Sequence, residues 1–331
     1  SGYNSMVINA GETENKGIDL TINSTNITNK NFTWNTSITL SHNKNSVKKL
    51  TGEDVQLWEA NFGYSQNTHI IGVNQPLGQM YGYVTDGLYQ VSDFDYDAAT
   101  KTYTLKDGVP YAGEKGNVKP GMWKFKNIDG SKDNKITEAD KTVIGNAYPK
   151  IYGGINNTFT YKDFDLSIFL TYSIGNDVFN ATKLTNTKTA LQNKNVLAVA
   201  DSKHRWVLVN KAGDLITDPQ EMADINKGKT VAAIYDNEAG DTYIHSWAVE
   251  DGSFLKLSNI TLGYTFPKKM IRKVGLSKLR LYATGSNLLT WTKYSGFDPE
   301  VSTMGNGLTP GVDFGAYPRS RAFVFGINLA F

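Results

Sequence analysis

The 331-residue chain contains no cysteine, which excludes a disulfide scaffold, a thiol nucleophile, an iron–sulfur site and Cys-ligated zinc. Its 34 Lys+Arg barely exceed its 32 Asp+Glu, for a net charge of +2, and no dense basic block is interleaved with aromatics. Nucleic acid is therefore not an expected partner. No run of about 18 uncharged apolar residues exists, so a membrane-spanning helix is excluded. Ser1-Gly2-Tyr3-Asn4 opens no apolar stretch of the signal-peptide kind. The four histidines, His42, His69, His204 and His245, share no metal-ligand spacing. No G-x-S-x-G elbow occurs, and Gly153-Gly154 lacks the Lys and Ser/Thr of a phosphate loop. Catalysis has no positive support.

What is abundant is Asn, Thr, Ser, Gly and aromatics, with few helix formers, which is an all-β composition. The dominant period is two, placing alternate side chains on opposite faces of a strand. In 31–41, Phe32, Trp34, Ile38 and Leu40 alternate with Asn31, Thr33, Asn35, Ser37, Thr39 and Ser41. The pattern repeats at Ile18, Leu20 and Ile22, and at Phe164, Leu166, Ile168, Leu170 and Tyr172, where Phe169 is an apolar exception on the polar face. It returns at Ile260, Leu262, Tyr264 and Phe266, at Leu279, Leu281 and Ala283, and at Phe323, Phe325, Ile327, Leu329 and Phe331. Seven strands are expected, at 16–24, 32–44, 151–161, 163–174, 254–266, 278–290 and 319–331.

The connections alternate between short (25–31, Lys162-Asp163, 267–277) and long (45–150, 175–253, 291–318). An outer-membrane barrel has this parity, with short periplasmic turns and long extracellular loops. With direction so assigned, Phe32, Trp34, Phe159, Tyr161, Phe164, Tyr264, Phe266 and Phe331 fall at the short-turn ends, and Tyr172, Trp291 and Phe323 at the long-loop ends. Two aromatic girdles around an aliphatic belt fit a lipid-facing wall. The expected fold is all-β, an antiparallel transmembrane β-barrel segment with long extracellular loops. The rival is a secreted, calcium-stabilised, glycan-binding β-sandwich module, whose inner faces also alternate.

The segments NLLTWTKYSGFDPE (287–300) and GVDFGAYPRSRAFVFGINLAF (311–331) resemble the closing strands of a SusC/RagA-type TonB-dependent transporter. Residues 118–172 resemble that family's mid-barrel stretch and 15–45 the strand pair before it, so the resemblance covers nearly the whole chain. It implies a 22-stranded barrel with an N-terminal plug. It also implies a SusD-like surface lipoprotein as lid, energy supplied through TonB, and oligosaccharide or peptide substrates. Residues 1–331 carry seven strands and no plug or TonB box. They read as the C-terminal barrel portion of a longer outer-membrane protein of a Gram-negative bacterium, whose N-terminal part supplies the plug and remaining strands.

Two groups of residues could carry a site. Residues 129–140, DGSKDNKITEAD, fit an EF-hand-like loop, with Asp129, Ser131 and Asp133 at ligand positions 1, 3 and 5, the Lys135 carbonyl at 7 and Asp140 at 12. Asn134 replaces the usual glycine at position 6, and Asp140 is shorter than the usual Glu. A structural Ca²⁺ is the expected ion, and a metal-free Asp/Asn turn the alternative. The loop aromatics Trp58, Tyr64, Tyr81, Tyr83, Tyr89, Trp123, Trp206 and Trp247 lie among hydrogen-bonding side chains that suit sugar or peptide binding. Trp58, Tyr83, Tyr89, Trp123, Trp206 and Trp247 are the candidate substrate contacts, against the alternative that such rings pack the loops together. The basic run PKKMIRKVG (267–275) falls in a periplasmic turn, where a solvated turn competes with attraction to anionic headgroups.

Overall fold

The computed structural model describes residues 11–60, 62, 66–187, 195–235, 243–303 and 307–331; residues 1–10 and Tyr64 lie outside them. Seven strands form one sheet: β1 (Gly11–Thr28), β2 (Phe32–Leu50), β3 (Ile151–Tyr161), β4 (Phe164–Ile174), β5 (Phe254–Thr265), β6 (Lys278–Thr292) and β7 (Ala322–Ala330). Each pairs antiparallel with its chain neighbours, in the order β1 to β7. This is the meander expected of a barrel wall.

The register joins the apolar alternation across every strand. Leu20 opposes Leu40, Ile38 opposes Ile155, Ile155 opposes Leu170, and Leu166 opposes Leu262. Leu262 then meets Ala283, and Ala283 meets Phe325. A one-residue slip at any junction would turn a whole strand over. At the short-turn end rings meet: Trp34 stacks on Phe159 of the next strand (5.6 Å between centroids), Phe164 tilts against Tyr264 (4.6 Å), and Phe266, just past β5, meets Tyr264 edge to face (4.9 Å).

The belt is not buried: Leu20 is 48%, Leu262 53% and Phe325 79% accessible, and Ile38, Ile155, Leu166, Ile168 and Leu170 are half-buried between neighbouring strands. The only apolar side chains of the wall strands that are fully buried among the described residues are Val47 and Phe254, at the long-loop ends. A sandwich would bury one face of this sheet along its length, so the sandwich alternative is excluded. The opposite face is Ser, Thr and Asn, hydrogen-bonded laterally through Thr261–Thr284 (2.9 Å), Thr171–Ser258 (2.7 Å) and Ser286–Asn259 (2.7 Å). At the level of the short-turn aromatics this face carries the Arg280–Asp165 pair, two-pronged at 3.0 and 2.5 Å. The intervening Gly263 leaves space for it, since a Cβ there would lie 2.4 Å from the guanidinium. Gly326 likewise clears the ring of Tyr282.

Three features depart from expectation. β1 and β2 run to 18 and 19 residues, well beyond the roughly 9–11 that cross a bilayer. Their upper parts are polar, held by Glu14 to Lys16 and Lys48 at 3.0 Å each, and so carry no apolar alternation. A bulge at Ser258 shifts the outward phase of β5 from Leu255 and Leu257 to Ile260 and Leu262. β7 begins at Ala322, not 319, because Arg319 is engaged with Asp298 and Glu300.

The long connections fold into a cap with its own cores. One gathers Tyr83, Trp123, Phe125, Trp206, Ile216 and Met222; another gathers Phe62, Met80, Phe179, Leu184, Ile244 and Val312. A four-stranded sheet orders Lys141–Asn146, Gln79–Tyr83, Asn67–Gly72 and Val55–Glu59. Loop 74–77 packs on the polar face of β2, where Val47 N donates to Gln75 O and Asn45 Oδ1 accepts from Leu77 N. The cap therefore sits on the inner side of the wall.

Ile168→Arg, at mid-belt, is expected to cost about 2–4 kcal/mol of stability in lipid, read by denaturant unfolding in vesicles. Ser167→Arg, on the polar face, is expected to fold normally in the same assay.

Candidate functional site

The structure separates the candidate aromatics into two sets. Tyr83, Tyr89, Trp123 and Trp206 are buried. Tyr83 packs on Phe125 at 5.3 Å and Tyr243 at 5.2 Å, and Trp123 on His245 at 4.8 Å and Trp247 at 4.9 Å. Tyr89 donates to Pro110 O at 2.6 Å, and Trp206 lies against Gly121, where a Cβ would approach its ring to 2.4 Å. Burial pushes the phenols of Tyr83 and Tyr89 well above their ordinary pKa. Trp247, half-buried, is capped by Lys183 Nζ at 4.1 Å from its ring centre, and Lys183 pairs with Glu250 at 3.1 Å.

Trp58 and Tyr81 occupy a different place. They line an open groove of about 760 Å³ with Thr51, Glu53, Val55, Gln56, Leu57 and Ile70. The groove follows Val55–Glu59, the edge of the four-stranded sheet. Val55 is 48% and Leu57 44% exposed. Trp58 Nε1 is buried without a hydrogen-bond partner among the described residues. Glu53, Asp54 and Glu59 are exposed and paired with no Lys or Arg among the described residues. Val55, Leu57 and the three acids were not singled out from sequence. The available signal was charge: between Lys49 and Lys101 the chain has seven Asp/Glu and no Lys or Arg.

In loop 129–140 the carboxylates hold backbone. Asp140, fully buried, accepts at Oδ1 from the N–H of Ile128 (2.8 Å) and Asp129 (3.2 Å), and at Oδ2 from that of Thr137 (2.8 Å). Asp129 accepts from Ser131 N at 2.7 Å and Asp133 from Lys135 N at 3.0 Å. The Lys135 N–H and the Ser131 hydroxyl hold the Asp133 carboxyl below its usual range. Asn134 takes the left-handed conformation, φ 57°, that position 6 requires. Among the described residues no three acidic or His side chains converge as a metal-binding group.

Two further clusters fix the cap. Lys256, buried on the polar face of β5, pairs with Glu300 and lies 3.8 Å from Asp298, while Arg319 reaches Asp298 at 2.5 Å and Glu300 at 3.2 Å. The FDPE and PRSR segments are thus the two halves of one ion network. His69, fully buried, has Nε2 on Pro310 O at 3.0 Å and Nδ1 on Thr68 Oγ1 at 2.8 Å. A carbonyl only accepts, so Nε2 carries the proton and Nδ1 accepts from the hydroxyl.

Burial holds the His69 imidazole at a pKa of about 4, against an ordinary 6.5. An unfolded chain takes up a proton below about 6.5 that the folded one refuses until about 4. The stability present above pH 6.5 is therefore lost as pH falls toward 4. Thermal melting of the cap near neutral pH and at about pH 5 is expected to show this loss, and His69→Asn to flatten it. Asp140→Ala strands three N–H groups and is expected to cost about 3 kcal/mol locally, read as faster amide exchange at Ile128 and Thr137.

No family model matches the chain. It is 33% identical over 338 residues to TonB-dependent receptor P3 of Formosa agariphila, a match covering all of this chain and 30% of that receptor. It is 28% identical over 330 residues to TonB-dependent receptor SusC of Bacteroides thetaiotaomicron, covering 98% of this chain and 27% of SusC. The solved structure of the RagAB peptide transporter superposes with a TM-score of 0.66 at 21% identity, covering all of this chain and 31% of the matched one. The chain thus spans about 30% of the length of the relatives it matches. Over its full length the chain is similar to TonB-dependent receptors, and its seven-stranded wall has the fold of the matching part of the RagAB structure.

Proposed function

We propose that the chain forms part of the membrane wall and extracellular cap of an outer-membrane importer of oligosaccharides or peptides. In this reading it is driven through TonB and works with a SusD-like surface lipoprotein. The observation that carries it is the exposed apolar belt, continuous in register over seven strands and bordered by stacked aromatics. Such a surface is stable in lipid and unstable in water. Among the described residues the outer edges of β1 and β7 have no strand partner. Since each unpaired backbone group costs several kcal/mol in hydrocarbon, the remaining strands of the same receptor would close them. A plug in the N-terminal part would gate the lumen and couple it to TonB.

Substrate would meet the cap before the lumen. The half-exposed rings Trp58 and Trp247 are its proposed contacts, with Tyr83, Tyr89, Trp123 and Trp206 as the packed frame behind them. Loop 129–140 enters as a rigid surface element, with calcium as its proposed ion. Binding would require Asp129 and Asp133 to exchange backbone N–H groups for the cation. A calcium titration that leaves the melting temperature of the receptor unchanged overturns that part.

The main test is mass spectrometry of what co-purifies with this chain from detergent-extracted outer membranes. A larger receptor polypeptide together with a surface lipoprotein is expected. Recovery of the chain alone in the soluble fraction would overturn the importer.

A further inference from the structure

The importer reading leaves open whether the cargo is sugar or peptide. We propose, resting on that reading, that the edge Val55–Glu59, unpaired on its outer side among the described residues, captures an extended, cationic peptide by strand addition.

The phase of the edge is set by one bond. Val73 N donates to Asp54 O at 2.9 Å, so Asp54 and Val73, opposite each other in the register that pairs Val55 with Gly72, form a hydrogen-bonded pair. Bonded pairs alternate along an antiparallel ladder. Gln56 with Ile71 and Trp58 with His69 therefore bond inward, and the N–H and C=O of Val55 and Leu57 point away from the sheet. These are backbone donors and acceptors spaced for another polypeptide strand. A sugar ring presents no matching row of alternating amide groups.

The side chains specify what kind of strand. Val55 and Leu57 project from the face they share with their cross-strand neighbour Ile70, and with Tyr81 they line the groove beside the edge. They remain largely exposed, which leaves an apolar strip for alternate side chains of an added strand. Around the strip stand Glu53, Asp54 and Glu59, without a cationic partner among the described residues. They belong to the stretch between Lys49 and Lys101 that has seven acids and no Lys or Arg. A natural edge is commonly blunted with Lys or Pro to keep other strands off. This one carries neither and has carboxylates at its margins. The charge complement is a peptide with Lys or Arg between apolar residues.

The test uses the full receptor purified in detergent and a fluorescent hexapeptide of alternating Val and Lys, read by anisotropy. Binding is expected, weakened about tenfold or more by added salt, by Glu in place of Lys, and by N-methylation of alternate peptide nitrogens. Maltohexaose is expected not to compete. Leu57→Pro removes only an outward N–H, a change edge strands tolerate, and is expected to weaken binding about tenfold. The double variant Glu53→Gln/Glu59→Gln is expected to lose most of the salt dependence and leaves the backbone untouched, so a folding defect in the proline variant does not decide the matter. Equal binding of the N-methylated peptide, or displacement by maltohexaose, overturns the proposal. A receptor that fractionates with the outer membrane and imports another cargo, yet ignores the Val–Lys peptide, overturns strand addition alone. A receptor absent from that membrane overturns the importer reading instead.

Discussion

Backbone hydrogen bonding in a medium that offers none of its own is the constraint on which this structure depends. Within hydrocarbon every N–H and C=O must find a partner in the chain, so the wall is strand against strand from β1 to β7 without a gap. Once pairing is compulsory, register becomes the variable that sequence controls, and it is controlled by alternation. Leu, Ile and Phe at every second position leave one workable alignment for each pair. The polar face follows from the same rule. Its Ser, Thr and Asn side chains satisfy one another across strands, and the Arg280–Asp165 pair near the short turns is neutral as a unit.

The cap obeys different physics. Its residues are folded by burial, in cores built from rings that meet edge to face and from aliphatic side chains drawn from two or three long connections. The short parallel pairing of Asp177–Asn180 with Val312–Asp313 and the antiparallel one with Val249–Asp251 stitch these connections together. The wall thus supplies attachment points along one curved sheet edge, and the cap folds as a body with cores of its own against its inner face.

This division explains what could be read from the sequence. The wall strands were legible because Phe32 to Leu40 or Phe164 to Tyr172 must show lipid one face and the lumen the other, and period two records that directly. The upper halves of β1 and β2 were not, since above the membrane the outward face carries Glu14, Lys16 and Lys48 in water while the inward face packs on the cap through Val47, and no apolar alternation is demanded. The phase change at Ser258 was hidden because a bulge inserts one residue without altering composition. In the cap, Trp206 and Trp58 look alike in sequence, as aromatics among polar residues. Only the long-range partners that surround the first and leave the second on a groove distinguish them.

The ion network of Lys256, Asp298, Glu300 and Arg319 has an electrical consequence. Two cations and two anions held within a few ångströms cancel, so the last long connection joins the wall through a junction that is strongly bound yet nearly field-free at a distance. The acid-only stretch beyond Lys49 has no such compensation in sequence. Uncompensated negative charge is therefore concentrated where Glu53, Asp54 and Glu59 stand exposed, and not at this junction. An approaching cation is drawn to those carboxylates and feels almost no pull from the neutral junction.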